Sequence, residues 1–271
     1  MDTAPKILVG TMACGEKEFP ACQQAIAAQK YVVVRHYVIE NKPEIFAHQE
    51  LFQYWNENRS DFDLFVKIDG DTVLEKDDSL FKLWKIFSTD SEISAVQTGL
   101  LDYFSNQMIS GLNSFSPEVS FSIPTDPLFC DRIEEVGHKK ILKPKDTLDI
   151  FPIARHCLYP SPKQAFHFGY RRWSKGQLNI VRNCLDAWKN APETGRLWAL
   201  MGVRASFHSR IEDASYNNPE FVKMFNNAEQ EYHSPSFDHE EISKEIEHIL
   251  SGYLPLRLKR FIKRSLPLLQ R

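Results

Sequence analysis

The chain has no CxxC pair, no run of about 18 apolar residues and no surplus of basic side chains. Each absence narrows what it can be. Without closely paired cysteines a zinc knuckle is not expected. Without a long apolar run, an integral membrane protein is excluded at the sequence level. Lys plus Arg number 33 against 36 for Asp plus Glu, a net charge of −3, whereas a general nucleic-acid binder carries a basic excess. The opening residues MDTAPKILVG hold no basic stretch ahead of an apolar one, so no signal peptide is expected. Internal repeats and low-complexity segments are also missing. Cysteine is sparse: Cys14, Cys22, Cys130, Cys157 and Cys184 are odd in number and widely spaced. That usage suits reduced thiols in the cytoplasm, most of them acting as small core residues.

What is present is ordinary globular composition, with 271 residues, 42% hydrophobic, 12% aromatic and 25% charged. A chain of this length buries a large core without covalent staples, as one domain or one domain with an appendage. The charge is unevenly placed. From Tyr253 to Arg271 there are six cations (Arg257, Lys259, Arg260, Lys263, Arg264, Arg271) and no acids, which leaves −9 on the rest.

The first hundred residues alternate between two periodicities. Lys6–Met12 (KILVGTM), Tyr31–Glu40 (YVVVRHYVIE), Asp63–Ile68 (DLFVKI) and Ile93–Thr98 (ISAVQT) read as strands. Phe19–Lys30, Pro43–Asn58 and Ser79–Phe87 read as helices, the second carrying Ile45, His48, Phe52 and Trp55 on one face. Such alternation predicts an α/β fold, a parallel sheet with helices on both faces. Beyond Gly99 the chain looks extended through Phe121, and again over Asp131–Lys143 and Leu148–Arg155. Ser161-Pro162 then opens a helix reaching about Lys189, with Ser as N-cap, Pro in the first turn, and Gly169 and Gly176 as possible bends. Arg196–His208 and Glu240–Leu250 follow as helices. The expected division is a catalytic domain over 1–190 and a helical region over 191–271 that ends in the basic tail.

Ligands of such sheets gather beyond the carboxyl ends of the strands. There lie Thr11, Glu40 and the sharpest local signal, Asp69-Gly70-Asp71 within FVKIDGDTVL. Two carboxylates spaced i, i+2 at a strand end can hold a hard divalent cation and leave positions open for phosphates. Alone, the pattern is also that of a turn. An EF-hand fails, because loop positions five, six and twelve would be Val73, Leu74 and Leu80. Asp69–Leu74 resembles the nucleophile motif of haloacid-dehalogenase-type phosphatases. That motif normally lies on a first strand, whereas here two strand–helix units precede it.

The first strand with Thr11, Glu40 closing the second, Asp69-Gly70-Asp71 closing the third, and the stretch ARHCLYPSPKQAFHFGYRRW (Ala154–Trp173) together resemble a GT-A-fold glycosyltransferase, similar to bacterial family-2-like nucleotide-sugar transferases. The resemblance covers about residues 6–185. It implies a nucleotide-sugar donor, UDP-linked, and a glycan or lipid-linked glycan acceptor in surface polysaccharide or lipopolysaccharide synthesis. It also implies Mn²⁺ or Mg²⁺. Thr11 and Glu40 would hold the nucleoside. Asp71 would bind the metal, and Asp69 the ribose or the metal through water. A histidine late in the domain would complete the metal site, His156 at a strand end rather than His167 in the helix. Arg171 or Arg172 would clamp the diphosphate; adjacent helix residues point about 100° apart, so only one is expected to face the site. An inverting transfer needs a general base, with Asp102, Asp126, Asp131, Glu134 and Glu135 as candidates and Asp131 preferred. The family's usual acidic base motif is not visible, which leaves inversion against retention open.

The tail YLPLRLKRFIKRSLPLLQR alternates leucines with cations. A basic amphipathic segment of this kind reads as a membrane-surface element or as a helix packed on the acidic body. With it, the expected place of the protein is the inner face of the cell membrane, peripherally attached. The non-enzymatic alternative is a scaffold that binds glycans or membranes.

Overall fold

The computed structural model describes residues 3–126, 130 and 139–265, with side chains to residue 252. It begins β1 (Lys6–Ala13), α1 (Phe19–Ala27), β2 (Val33–Glu40), α2 (Glu44–Asn58), β3 (Leu64–Asp69), β4 (Thr72–Leu74), α3 (Ser79–Thr89) and β5 (Ile93–Asp102). The chain continues with β6 (Met108–Phe115), β7 (Lys140–Leu142) and β8 (Ala154–His156). Five helices close it: α4 (Pro162–Ser174), α5 (Leu178–Asn190), α6 (Thr194–His208), α7 (Pro219–Tyr232) and α8 (His239–Ser265).

The strands order as β2-β1-β3-β6-β5-β8-β4, with β7 beside β5. β2, β1 and β3 run parallel, as expected. The expectation of a wholly parallel sheet is corrected at two strands. β6 is antiparallel to both β3 and β5, and β4 is antiparallel to β8. The cause is connection length. Only five residues separate β5 from β6, too few for the crossover that a parallel neighbour requires. Two residues join β3 to β4, yet these strands stand far apart in the strand order. The mixed sheet curls so that its far edge returns to β3.

Alternation within β1 and β3 builds two cores. Ile7, Val9, Val66 and Ile68 face a cluster with Cys22 and Ile26 of α1 and Leu80 and Leu83 of α3. Leu8 and Phe65 face the other side, against Leu51, Phe52 and Trp55 of α2. The helices form a third core in which Phe166, Tyr170, Val181, Leu185, Trp198, Leu200, Phe221 and Ile246 are buried together. The expected division at residue 190 runs through this cluster, which joins α4 and α5 to α6, α7 and α8.

The long helix expected from Pro162 is two helices. Gly176, at φ +67°, breaks it, whereas Gly169 lies inside α4 without ending it. Gly169 serves packing instead: a Cβ there would lie 1.8 Å from the Ala199 carbonyl oxygen, and one on Gly202 would lie 1.9 Å from that of Phe166. Ser161 caps α4 with a capping box completed by Gln164, as its sequence indicates. The extended reading of Leu148–Arg155 holds only at its end, since Leu148–Ile150 is a 3₁₀ turn. Helix α7 had no counterpart among the expected elements.

Candidate functional site

The crossing from β3 to β4 is Gly70-Asp71. The Gly70 N–H donates to the Met12 carbonyl (3.0 Å), and the Asp71 carbonyl accepts from the Cys157 N–H (2.9 Å). The crossing is thus tied to β1 on one side and to the residue after β8 on the other. Glycine between the acids fits a tight space: a Cβ would lie 3.0 Å from Ala13 Cβ and 3.1 Å from Glu16 Oε2, so either neighbour would have to give by a few tenths of an ångström.

Asp71 Oδ2 lies 3.4 Å from His156 Nε2 and accepts from Cys157 Sγ at 3.2 Å, while the Thr72 hydroxyl donates to Oδ1 at 3.2 Å. His156 Nδ1 bonds to Asp102 Oδ1 at 2.7 Å. Asp102 is buried at the end of β5, and its Oδ2 also accepts the Ser105 N–H (2.7 Å) and hydroxyl (2.6 Å). Burial acts to raise the Asp71 carboxyl, but the charge and hydrogen bond of His156, with Cys157 and Thr72, hold it well below the ordinary carboxylate range. Asp102 is likewise lowered against its burial by His156 and Ser105. His156 is pushed up: burial opposes its charge, and the surrounding Cys157, Asp71 and Asp102 outweigh it. The order Ser105–Asp102–His156–Asp71 presents a carboxylate-oriented imidazole to a second carboxylate.

Of these groups, Asp71, His156 and Cys157 line a cavity of about 220 Å³. One wall is Met12 near the end of β1 and Cys14 and Glu16 from the loop after it, with Lys42 from the loop before α2 and Glu44 and His48 from its first turns. Another is the α4 face made by Gln164, His167, Phe168, Arg171 and Arg172, with Lys175 at the C-cap, a run at helical spacing. Ser215, Tyr216 and Asn217 complete the lining. Glu16 reaches back to accept the Cys14 N–H at 2.6 Å. Burial, aided by the charges of Asp71 and Asp69, pushes its carboxyl up to about 7 against the pull of backbone N–H bonds.

Asp69, Asp71, His156 and Arg171 all line this cavity. The Asp69 side chain is 56% exposed and pairs with the buried Lys67 ammonium at 2.9 Å. His167 also lines it. Burial, with the charge of Arg171, holds its ring down at about 3, and its Nε2 has no hydrogen-bond partner among the described residues. The expectation that only one of Arg171 and Arg172 faces the site is corrected. Both line it, because the cavity spans a whole helix face rather than one row. Arg171 pairs with Glu44 at 2.6 Å. Arg172 meets only neutral groups among the described residues, Gln177 Oε1 at 2.9 Å and the Phe168 ring at 4.6 Å.

Two expected nucleoside contacts lie elsewhere. Thr11 sits inside β1, fully buried, bonded to His36 Nε2 at 2.9 Å, and does not line the cavity. The strand runs one residue further than the expected Lys6–Met12, to Ala13, so the loop begins beyond it. Glu40 closes β2 as expected but is exposed, two residues before the lining residue Lys42. Asp102, considered as a base, stands behind His156 as its positioning residue. Asp131, Glu134 and Glu135 lie outside the described residues.

Sequence reasoning passed over Cys157, Glu16 and Lys175. Asp102 could have been found as a third acid closing a strand, by the reasoning that found Glu40 and Asp69. Two donor groupings among the described residues could hold a metal ion. One is Asp71, His156 and Cys157; the other is Glu44, His48 and Cys130. In the second, Glu44 is already paired with Arg171, and Cys130 bonds to the Asp126 carbonyl at 3.3 Å.

No protein-family model matches the chain, and no curated protein matches it. Among solved structures it matches the crystal structure of a glycosyltransferase involved in the glycosylation of the major capsid of PBCV-1. The match has 15% identity and a TM-score of 0.25, and covers 41% of this chain and 60% of that one. A likeness of that extent carries no argument about function.

Proposed function

We propose that this chain is a metal-dependent glycosyltransferase with a GT-A fold, moving a sugar from a nucleotide-diphosphate donor, UDP-linked, to a hydroxyl of a glycan or lipid-linked glycan. The supporting observation is that one cavity holds the Asp69–Asp71 pair beside His156, together with the Arg171, Arg172 and Lys175 face of α4. Arg172, half-buried and held by Gln177 and the Phe168 ring rather than by a carboxylate, favours an anion brought in from outside. Acids at a strand end beside it suit the cation that accompanies a diphosphate. Asp71 and His156 offer donor atoms close enough to share one ion.

In this reading Asp71 and His156 hold the cation, and Asp69 meets it through water or meets the ribose. When bound, Mn²⁺ or Mg²⁺ would neutralise the charge that grows on the departing diphosphate. Asp102 keeps the His156 proton on Nδ1, so Nε2 is left to face Asp71. Arg171 and Arg172 hold diphosphate oxygens, the geometry for which a guanidinium is suited. Glu40 and the lining loops after β1 and β2 take the nucleoside. Asp131 is the proposed base that removes the acceptor proton in an inverting transfer. The acceptor belongs to surface polysaccharide or lipopolysaccharide assembly, met by the protein from the cytoplasmic side of the membrane.

Thermal melting in a panel of nucleoside diphosphates tests the reading. UDP with Mn²⁺ at about a hundred times its dissociation constant is expected to add about 2.7 kcal/mol, a rise of about 5–10 °C for a chain of this size. Asp71→Ala is expected to erase it. No rise with any nucleoside diphosphate would remove the proposal. Phosphate release from simple esters, lost in Asp69→Asn, would replace it with the phosphatase reading.

A further inference from the structure

We infer that Cys157 is a third metal ligand beside Asp71 and His156, and that the centre takes a thiophilic divalent ion of the zinc class in preference to Mg²⁺. The inference rests on the reading above that Asp71 and His156 bind a metal.

Neighbouring residues at a strand end ordinarily point to opposite faces. His156 ends β8, yet its Nε2 and the Sγ of the next residue are only 3.6 Å apart. The convergence comes from the backbone of Cys157, which lies at φ +54°. That left-handed conformation is uncommon for a residue with a Cβ and costs energy unless its surroundings hold it. Here the Cys157 N–H donates to the Asp71 carbonyl at 2.9 Å, and the Sγ lands 3.2 Å from the same residue's Oδ2. Asp71 therefore fixes the strained residue through its backbone and meets it through its side chain.

Distance carries the argument further. Asp71 Oδ2, His156 Nε2 and Cys157 Sγ form a triangle with edges of 3.2, 3.4 and 3.6 Å. Tetrahedral zinc with bonds of about 2.0 Å to oxygen, 2.0–2.1 Å to nitrogen and 2.3 Å to sulfur places such donors about 3.3–3.6 Å apart. The triangle already has the size of three corners of that tetrahedron. Three protein ligands and one further position is the pattern of zinc sites that also take a substrate or water. The imidazole has its orienting carboxylate, Asp102, at 2.7 Å.

Donor type decides the class of ion. Mg²⁺ takes oxygen ligands in near-octahedral geometry. A thiolate in a set with one imidazole and one carboxylate favours Zn²⁺ and its softer neighbours. Cys130 also lies in a donor grouping, with Glu44 and His48, but Glu44 is paired with Arg171 and the Cys130 Sγ bonds the Asp126 carbonyl at 3.3 Å. Cys14 and Cys22 meet backbone carbonyls, at 3.7 and 3.9 Å, and neither they nor Cys184 belong to a donor grouping among the described residues. Binding would release the thiol proton of Cys157 and the Nε2 proton of His156 to solvent, leaving a thiolate and a neutral imidazole as ligands.

The test uses the full chain, stripped of metal and loaded with Co²⁺ as a spectroscopic probe. One equivalent of Co²⁺ is expected to give a thiolate-to-cobalt charge-transfer band in the near ultraviolet, removed by Zn²⁺ but not by excess Mg²⁺. Cys157→Ser is expected to lose that band and to weaken Zn²⁺ binding at least tenfold. Should that variant fold poorly, alkylation of the wild-type chain with mass-spectrometric mapping gives a second readout: Zn²⁺ should protect Cys157. A Co²⁺ complex without the band, unchanged affinity in Cys157→Ser with no protection of the wild-type thiol, or no Zn²⁺ bound would each overturn the inference. Nucleotide binding is scored separately. UDP with Mn²⁺ raising the melting temperature while no thiolate band forms would sink the cysteine ligand and leave the transferase reading standing. A thiolate-bound Zn²⁺ with no nucleotide affinity would do the reverse.

Discussion

At the scale of single residues, the electrostatics of the cavity are set by how few partners its carboxylates share. Asp71 is held ionised by His156, and Asp69 has Lys67. Glu16 has backbone N–H bonds but is buried beside both acids, and so stays up at about 7. A carboxyl raised on folding supports the fold fully below its unfolded value near 4.5, and that support is lost as pH rises through about 7. In metal-free buffer, Glu16→Gln is therefore expected to gain on the parent between pH 4.5 and 7, and to keep a constant lead above pH 8. Calorimetric melting across that range measures it. Parallel curves for the two proteins would show that Glu16 titrates normally. Much of this was hidden from one-dimensional reading. Asp69 and His156 stand out because they end strands, and Asp71 because it follows Asp69 by two residues, but the pairing of Asp71 with Cys157 spans 86 positions.

At the scale of elements, α4 does most to shape the site. Its outer residues line the cavity, while its inner residues pack on α6 at a crossing close enough to exclude a Cβ at Gly169 and at Gly202. The obstruction is backbone carbonyl, which cannot rotate away. Gly169→Ala is expected to cost about 3 kcal/mol, seen as a lower denaturation midpoint, and to weaken nucleotide binding as the Arg171 and Arg172 face shifts. An unchanged midpoint would mean the helices can part without loss. The capping signal of α4 was legible in Ser161-Pro162 and Gln164 because capping is local chemistry. The break at Gly176 and the packing role of Gly169 were not distinguishable by residue type alone, since both are glycines in a helical stretch.

At the scale of the whole molecule, no described helix is long and apolar enough to cross a membrane. Helix α8 buries Ile242, Ile246, Ile249 and Leu250 against the helical core and continues through Ser265. The helix thus takes in the cationic segment as far as Ser265, while the rest of the chain is acidic. We propose that this segment meets an anionic membrane surface. Each cation near such a leaflet contributes about 1 kcal/mol. Deleting 253–271 is expected to abolish sedimentation with vesicles containing phosphatidylglycerol, leaving nucleotide binding intact. Equal sedimentation of the two forms would discard membrane contact through this segment.

Local pattern alone determined the three helices and four of the five strands of the first hundred residues, β4 being the exception, the placement of Asp69 and His156 at strand ends with Asp71 two residues beyond Asp69, and the start of α4. Those features follow from side-chain periodicity and from chemistry within a few residues. Tertiary structure alone decided that the sheet is mixed and curled, that Thr11 is interior, that both Arg171 and Arg172 reach the cavity, and that Asp102 and Cys157 converge on His156 and Asp71. The physical reason is that strand order and the closing of a cavity depend on contacts between residues far apart in the chain. No short window of sequence contains both partners.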